Sequence, residues 1–157
     1  MKRSKAKIVI LVVLVVMILA LIMIGDKLFN RISYPSNWEL SSTFQVEGKT
    51  FIGEDSRIGI LSTPLIAGKQ VGVHWYLWGE ERKLVKASFR LTAEKQGSPP
   101  VTLADNQAVA YGDNVADAQV PTLITIPKAG IWRFNVYLDN AYFGSVTVDV
   151  QEASTIS

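Results

Sequence analysis

The chain of 157 residues contains no cysteine, a single histidine and three methionines. Without cysteine, no disulfide can stabilise the fold and no lipid can be attached through a thiol, so stability depends on the hydrophobic core. The methionines all lie within the first 23 residues, which leaves His74 as the one soft-metal ligand of the remainder. Zinc and copper would lack ligands there, and no metal site and no cofactor are expected.

A continuous apolar run, IVILVVLVVMILALIMI, occupies residues 8–24 and contains no charged residue, proline or glycine. As a helix, this run would be about 25 Å long, close to the hydrocarbon thickness of a bilayer. A cleaved signal peptide is the alternative, but its apolar region is usually about 7–15 residues long and is followed by a small-residue cleavage pattern. We therefore expect a retained transmembrane helix at residues 8–25.

The charges around this run predict its orientation. Lys2, Arg3, Lys5 and Lys7 precede it, so the basic tail of residues 1–7 is expected in the cytoplasm. The rest of the chain then lies outside the cell, held at the cell membrane by a single pass. Without the four basic residues the chain carries 12 Lys and Arg against 14 Asp and Glu, a net charge of −2. This part is not expected to bind nucleic acid, because it has no basic excess.

Two short segments flank the main domain. Residues 26–37, DKLFNRISYPSN, lack clear periodicity and are interpreted as a stalk in which Phe29 and Tyr34 contact lipid headgroups. Residues 152–157 are interpreted as a disordered polar tail.

Residues 38–151 have a hydrophobic period of two, which is typical of half-buried antiparallel strands. Strands are predicted at residues 57–63, 69–78, 83–94, 120–127, 130–138 and 141–151, with one edge strand near residues 101–104. No amphipathic helix is evident. Short strands with regular turn signals predict an all-β antiparallel β-sandwich of about seven strands.

The connections are also predicted by their residues. Asp139 and Asn140 tolerate positive φ and predict a tight hairpin, whereas EERK at residues 80–83 is interpreted as a charged hairpin turn. Pro127 and Gly130 predict a corner before the strand that carries Trp132 into the core. Most of residues 97–119 is expected to be a long polar loop.

The segments WYLWG and VPTLITIPKAGIWRFNVYLDNAYFGSVTVDV resemble a family of uncharacterised immunoglobulin-like surface proteins of bacilli, many of which are lipoproteins. The matching residues are Trp75, Trp78, Gly79, Pro121, Pro127, Gly130, Trp132, Tyr137, Phe143 and Gly144. The resemblance implies an immunoglobulin-like, extracytoplasmic sandwich without a known reaction. This chain departs from the lipoproteins because no cysteine follows its hydrophobic run, which puts lipid anchoring in doubt.

The stretch GVHWYLWG, residues 72–79, contains candidate residues for a binding face. Trp75 alternates with core residues and is expected to be buried, comparable to the tryptophan of an immunoglobulin strand C. His74, Tyr76 and Trp78 then lie on the opposite face, where aromatic residues with a polar group favour partner binding. The alternative is that a loop, residues 97–119, covers them.

Hydrolysis and calcium binding are two other functions that the sequence could support. A hydrolase would use His74 as its base, but no G-x-S-x-G or comparable nucleophile motif accompanies it, so we expect no enzyme. Calcium could be bound by oxygen ligands gathered in one region, for which a solvated polar loop is the preferred interpretation. The residues concerned are Asp105, Asp113, Asn114 and Asp117.

Together these patterns predict a membrane-anchored extracytoplasmic immunoglobulin-like module that binds a protein or a cell-envelope polymer without catalysis. Two alternatives stay open: a small envelope hydrolase using His74, and a structural accessory subunit of a membrane complex in which the apolar helix makes the contact.

Overall fold

A computed structural model describes residues 38–153, with Met17 alone among the residues before them. The strands all lie in the unit Asn37–Ser157. Ten strands and one helical turn follow in chain order: β1 (Thr43–Val46), β2 (Lys49–Glu54), β3 (Ile58–Leu61), β4 (Gln70–Leu77), α1 (Glu81–Leu84), β5 (Ser88–Lys95), β6 (Val101–Ala108), β7 (Ala110–Tyr111), β8 (Ala118–Thr125), β9 (Gly130–Leu138) and β10 (Ala141–Val150).

The strands form two sheets that pack face to face. Sheet one has the order β1-β2-β3-β4-β8-β7, and sheet two has the order β10-β9-β5-β6. Neighbouring strands are antiparallel throughout both sheets. The prediction of an all-β antiparallel sandwich is therefore confirmed.

The core between the sheets follows the predicted alternation. Trp75 is fully buried, and its ring packs edge-on against Phe134 of sheet two at a centroid distance of 5.6 Å. Phe89 lies 6.3 Å from the same tryptophan ring. Three aromatic rings from three strands thus join the two sheets, and such pairs add about 0.5–1.5 kcal/mol each beyond their buried area. The same core contains the predicted inward residues Val73, Leu77, Leu91, Ile124, Ile126, Trp132, Val136, Val146, Val148 and Val150.

The polar groups of Trp75 and Thr122 in this core are satisfied by hydrogen bonds. The indole N–H of Trp75 donates to the hydroxyl oxygen of Thr122 over 2.9 Å, and that hydroxyl donates to the backbone carbonyl of Val73 over 3.2 Å. A buried N–H without an acceptor would cost about 1–3 kcal/mol. Thr122 therefore lets the largest core side chain be fully buried.

Two predicted turns are present. Asp139 and Asn140 adopt φ values of 49° and 65° between β9 and β10, which is the geometry of a tight type I′ hairpin. Gly130 adopts a φ of 112° at the predicted corner, and the indole N–H of Trp132 donates to the carbonyl of Lys128 over 2.8 Å.

The strand count and one connection were predicted wrongly. The described chain has ten strands instead of about seven, because β1 and β2 form an additional hairpin, β6 is eight residues long and β7 was not predicted. Residues 80–83 do not form a hairpin turn: Glu80 is the N-cap of α1, and residues 81–83 lie within it. β5 begins at Ser88 rather than at residue 83. The physical reason is that the chain passes from sheet one to sheet two here, and Glu, Arg, Lys and Leu favour a helical turn.

The predicted anchor at residues 8–25, the tail of residues 1–7 and the stalk of residues 26–37 lie outside the described residues, apart from Met17. Within the described part of the chain, no helix is long and apolar enough to cross a membrane.

The role of Thr122 can be tested by replacing it with valine. Thr122→Val keeps the shape but removes the acceptor of the Trp75 indole, so we expect the free energy of unfolding to fall by about 1–3 kcal/mol in urea titrations. Thr125→Val, on the exposed side of the same strand, is the control and should change it by less than about 0.5 kcal/mol. Equal stability of the two variants would contradict this role.

Candidate functional site

The three predicted site residues lie together at the end of β4 but differ in exposure. His74 is exposed, Trp78 is partly buried, and Tyr76 is only 6% exposed. None of the three belongs to the main core between the sheets, as the alternation of side chains along the strand predicted. The burial of Tyr76 corrects the expectation that its side chain is open to solvent.

A second hydrophobic cluster covers Tyr76. The ring of Phe51 packs edge-on against Tyr76 at 5.0 Å and against Trp78 at 5.6 Å. Phe44 stacks on Phe51 at 5.6 Å, and Gly59 of β3 lets both rings approach because a Cβ there would lie 2.9 Å from the Phe44 ring. Side chains of the β1–β2 hairpin, at the edge of sheet one, therefore cover part of the outer face of that sheet.

The loop within residues 97–119 provides the rest of the cover over Tyr76, as the alternative interpretation predicted. Val115 and Ala116, within residues 97–119, complete the buried cluster. The indole N–H of Trp78 donates to the carbonyl of Val115 over 2.9 Å. The sequence missed the contribution of the β1–β2 hairpin, for which the alternation of Phe44 and Val46 was the available signal.

Two of the acidic residues that could have bound calcium, Asp113 and Asp117, instead hold this loop in place. Asp117 accepts a hydrogen bond from the backbone N–H of Gly79 over 2.8 Å, and Asp113 accepts one from that of Val115 over 2.9 Å. Asp105 accepts one from the neighbouring Asn106 N–H, on β6. Within residues 38–153, no group of three or more His, Asp or Glu side chains is arranged to hold a metal ion.

His74 lies beside an open groove. Its ring is 6.4 Å from that of Tyr76, and no hydrogen bond or ion pair joins it to another described residue. The groove has a volume of about 260 Å³, and its lining includes Leu61, Thr63, Leu65, Gly72, His74 and Tyr76. Gly72 widens it, since a Cβ at this position would meet no atom within 4 Å.

The groove exists because β3 is shorter than β4. All eight residues of β4 pair with β8, but only Trp75, Tyr76 and Leu77 pair with β3 on the other side. Among the described strands, none pairs with residues 70–74 on that side. A stretch of backbone edge in the middle of sheet one is therefore left open.

The chain after β3 leaves sheet one and joins sheet two. Pro64, which has no backbone N–H, lies in this connection. The N–H of Gln151 then donates to the carbonyl of Leu65, and the N–H of Ala67 donates to the carbonyl of Gln151, each over 2.8 Å. The resulting parallel bridge between Ile66 and Gln151 lies directly after β10. Because the chain has left sheet one here, the edge of β4 stays open.

A second groove of about 350 Å³ lies on the other side of this connection, between the β1 hairpin and β10. Its lining includes Ser41, Thr147 and Asp149. Ser41 and Thr147 are joined by two hydrogen bonds of 2.9 Å, so the edge of β10 is already paired here. This groove has no open strand edge comparable to that of β4.

Two tyrosines have altered acidity. Burial, with a smaller effect of the negative charge of Asp113, raises the pKa of Tyr76 above its ordinary value near 10. Burial likewise raises the pKa of Tyr142. Both therefore favour the neutral phenol in the folded state.

The described part of the chain is thus an antiparallel β-sandwich module with an open strand edge. The chain belongs to the family described as "Domain of unknown function (DUF4871)", which matches residues 29–148. This membership is consistent with the predicted relation to uncharacterised surface proteins.

One solved structure of similar fold is the "X-ray Crystal Structure of a Putative Lipoprotein from Bacillus anthracis", which is 20% identical in sequence. Its TM-score is 0.58, and the match covers 78% of this chain and 99% of that one. At this identity the likeness concerns the fold alone. No curated protein matches the chain.

The burial of Tyr76 predicts unequal effects of two neighbouring substitutions. Tyr76→Ala should lower the free energy of unfolding by about 3 kcal/mol, because it leaves a cavity in the second cluster. His74→Ala, two residues away on the same face but exposed, should change it by less than about 0.5 kcal/mol. Urea titrations would contradict this assignment if both variants were as stable as the wild type.

The raised pKa of Tyr76 predicts a loss of stability in alkaline solution. Above about pH 10 the unfolded chain releases the phenolic proton before the folded chain does, so stability is complete below this pH and falls as the pH rises. Tyr76→Phe should make the decline less steep in unfolding titrations between about pH 8 and about pH 11. Tyr111→Phe, at a tyrosine that is 67% exposed, is the matched control. The same decline in both variants would contradict the prediction.

Proposed function

We propose that this chain is a membrane-anchored extracytoplasmic immunoglobulin-like module. It binds a protein or a cell-envelope polymer in the groove beside β4, and it carries out no catalysis. The observation on which this proposal rests is the open edge of β4 at residues 70–74, beside a groove that an exposed histidine borders.

The strand order supports the immunoglobulin-like assignment. In the lettering of that fold, β3-β4-β8-β7 has the order A-B-E-D, and β10-β9-β5-β6 has the order G-F-C-C′. The hairpin of β1 and β2 is then an addition to the edge of the first sheet. Trp132 also supports it, because its hydrogen bond to Lys128 at the start of the F strand resembles the tyrosine corner of such domains.

The aromatic core supports the same assignment, with one revision. Antibody domains join strands B and F by a disulfide, and here Trp75 and Phe134 occupy these two strands and are in contact. Trp75 lies on β4, the counterpart of strand B rather than of strand C as expected from the sequence. The counterpart of strand C is β5, which contributes Phe89.

The sequence before the domain supports attachment to the outer surface of the membrane. The apolar run of residues 8–24 follows a basic tail, which favours a single-pass helix with an external C-terminal domain. The Bacillus anthracis protein of similar fold is described as a lipoprotein, a class held at the membrane by a lipid on cysteine. This chain has no cysteine, so we assign its attachment to the helix.

The surroundings of His74 favour binding over hydrolysis. A catalytic histidine needs a nucleophile and an orienting partner within hydrogen-bonding reach. No described side chain makes a hydrogen bond or an ion pair with the His74 ring. The exposed imidazole instead borders the groove as a polar group available to a bound partner.

Filling the groove should abolish binding without unfolding the domain. In Gly72→Phe, the added Cβ meets no atom within 4 Å, whereas the ring occupies the groove. Phenylalanine also suits a strand better than glycine. We expect immobilised full-length protein in detergent to capture at least about tenfold less material from solubilised bacillus envelopes, which corresponds to about 1.4 kcal/mol or more.

The control for this experiment is Thr125→Phe, which adds a ring of the same size to the outer face of sheet one but outside the groove lining. Captured protein and captured sugar are both quantified. Loss of capture in Gly72→Phe alone supports the proposal, and equal capture by both variants and the wild type would contradict it.

A further inference from the structure

We infer that the occupant of the β4 groove is a short, extended and uncharged polypeptide segment that joins sheet one as an additional strand. This inference rests on the proposed binding function and names the chemical class of the partner. The partner pairs with the backbone of residues 70–74, in the position that β3 would occupy if it continued beyond Leu61.

Backbone chemistry is the first reason for a peptide. An unpaired strand edge presents N–H and C=O groups in a row, and another extended chain satisfies them by the pairing found within sheets. Five residues of strand span roughly 16 Å, enough for four or five residues of a partner. A sugar polymer has no matching row of amides.

The surroundings of the edge leave room for a second backbone. Gly72 has no side chain and an open Cβ position, and glycine in a strand often marks the close approach of another backbone. On the far side the groove is lined by Thr63 and Leu65, which belong to the connection that leaves the sheet. The space is therefore bounded on both sides and fits a single strand rather than the edge of a whole second sheet.

The lining selects an uncharged partner. It consists of aliphatic residues, Thr63, Gly72, His74 and Tyr76, and it contains no Asp, Glu, Lys or Arg. A buried charge without a partner is strongly disfavoured. An anionic envelope polymer would find no lysine or arginine in this lining, whereas apolar side chains would contact Leu61 and Leu65.

Two other strand edges carry features that discourage strand addition. The pairing of β5 with β6 contains register shifts, and Asn106 of β6 adopts a positive φ of 51°, which disrupts a regular edge. β7 pairs only with Ala118 and Gln119, and the part of β8 that extends beyond it contains Pro121, which has no backbone N–H to donate. Residues 70–74, QVGVH, contain no proline, lysine or bulge.

A peptide series tests strand addition directly. Full-length protein in detergent is titrated with a library of neutral hexapeptides that alternate Val or Ile with Ser or Thr, and binding is measured by fluorescence anisotropy. The tightest peptide is then N-methylated at one amide at a time. Because alternate amides of a strand face the same neighbour, methylation at every second position should weaken binding at least about tenfold. Methylation at the intervening positions should change it little.

Hydrogen exchange provides a second readout. The backbone amides of Gly72 and His74, which alternate with those that face β8, should exchange more slowly in the complex. Gly72→Phe should abolish peptide binding while Thr125→Phe retains it. Equal losses at all methylated positions would overturn strand addition, since they would indicate recognition by side chains.

The outcomes also separate this inference from the proposed function. If no hexapeptide binds but Gly72→Phe still reduces the capture of envelope sugar, the groove binds a polymer and the peptide inference is overturned. If no hexapeptide binds and Gly72→Phe leaves envelope capture unchanged, both proposals are overturned.

Discussion

The structure depends on β4 being packed on both of its faces. On one face Trp75 joins the two sheets through Phe134 and Phe89, with its indole N–H satisfied by Thr122. On the other face Tyr76 packs beneath the side chains of Phe51 and Val115. One end of the strand is thereby held between two hydrophobic clusters, while the other end, which includes Gly72 and His74, keeps one open edge. This difference along a single strand separates the part that stabilises the domain from the part proposed to bind.

The connection that contains Pro64 links the two sheets, and it also leaves the groove beside β4 open. Where this connection leaves sheet one to reach sheet two, its hydrogen bonds with Gln151 join it to the chain directly after β10. The same departure from sheet one leaves residues 70–74 of β4 without a neighbour on that side among the described strands. The open edge is interior to the sheet and narrow, so it avoids the association that a free outer edge would promote. A binding groove can therefore arise from backbone topology alone, without a special arrangement of charged or reactive side chains.

The candidate site was only partly predictable. The alternation of GVHWYLWG correctly separated Trp75 from His74, Tyr76 and Trp78, because side chains alternate along a strand. It could not distinguish the covered Tyr76 from the exposed His74, since the cover comes from Phe51, distant in sequence, and from a loop. Gly72 lies two residues from His74 on the same face of β4, but its importance for the groove depends on where β3 ends.

The sequence by itself determined the local features: the period of two, the Asp139–Asn140 turn, the corner before Trp132 and the absence of disulfides. These depend on each residue's own backbone preferences and on whether its side chain is apolar. Only the tertiary structure decided the order of the strands, the packing of Phe51 against Tyr76 and the open edge of β4. Such features arise from pairing between residues far apart in the chain, and the identity of a residue carries no information about which distant neighbour will cover it.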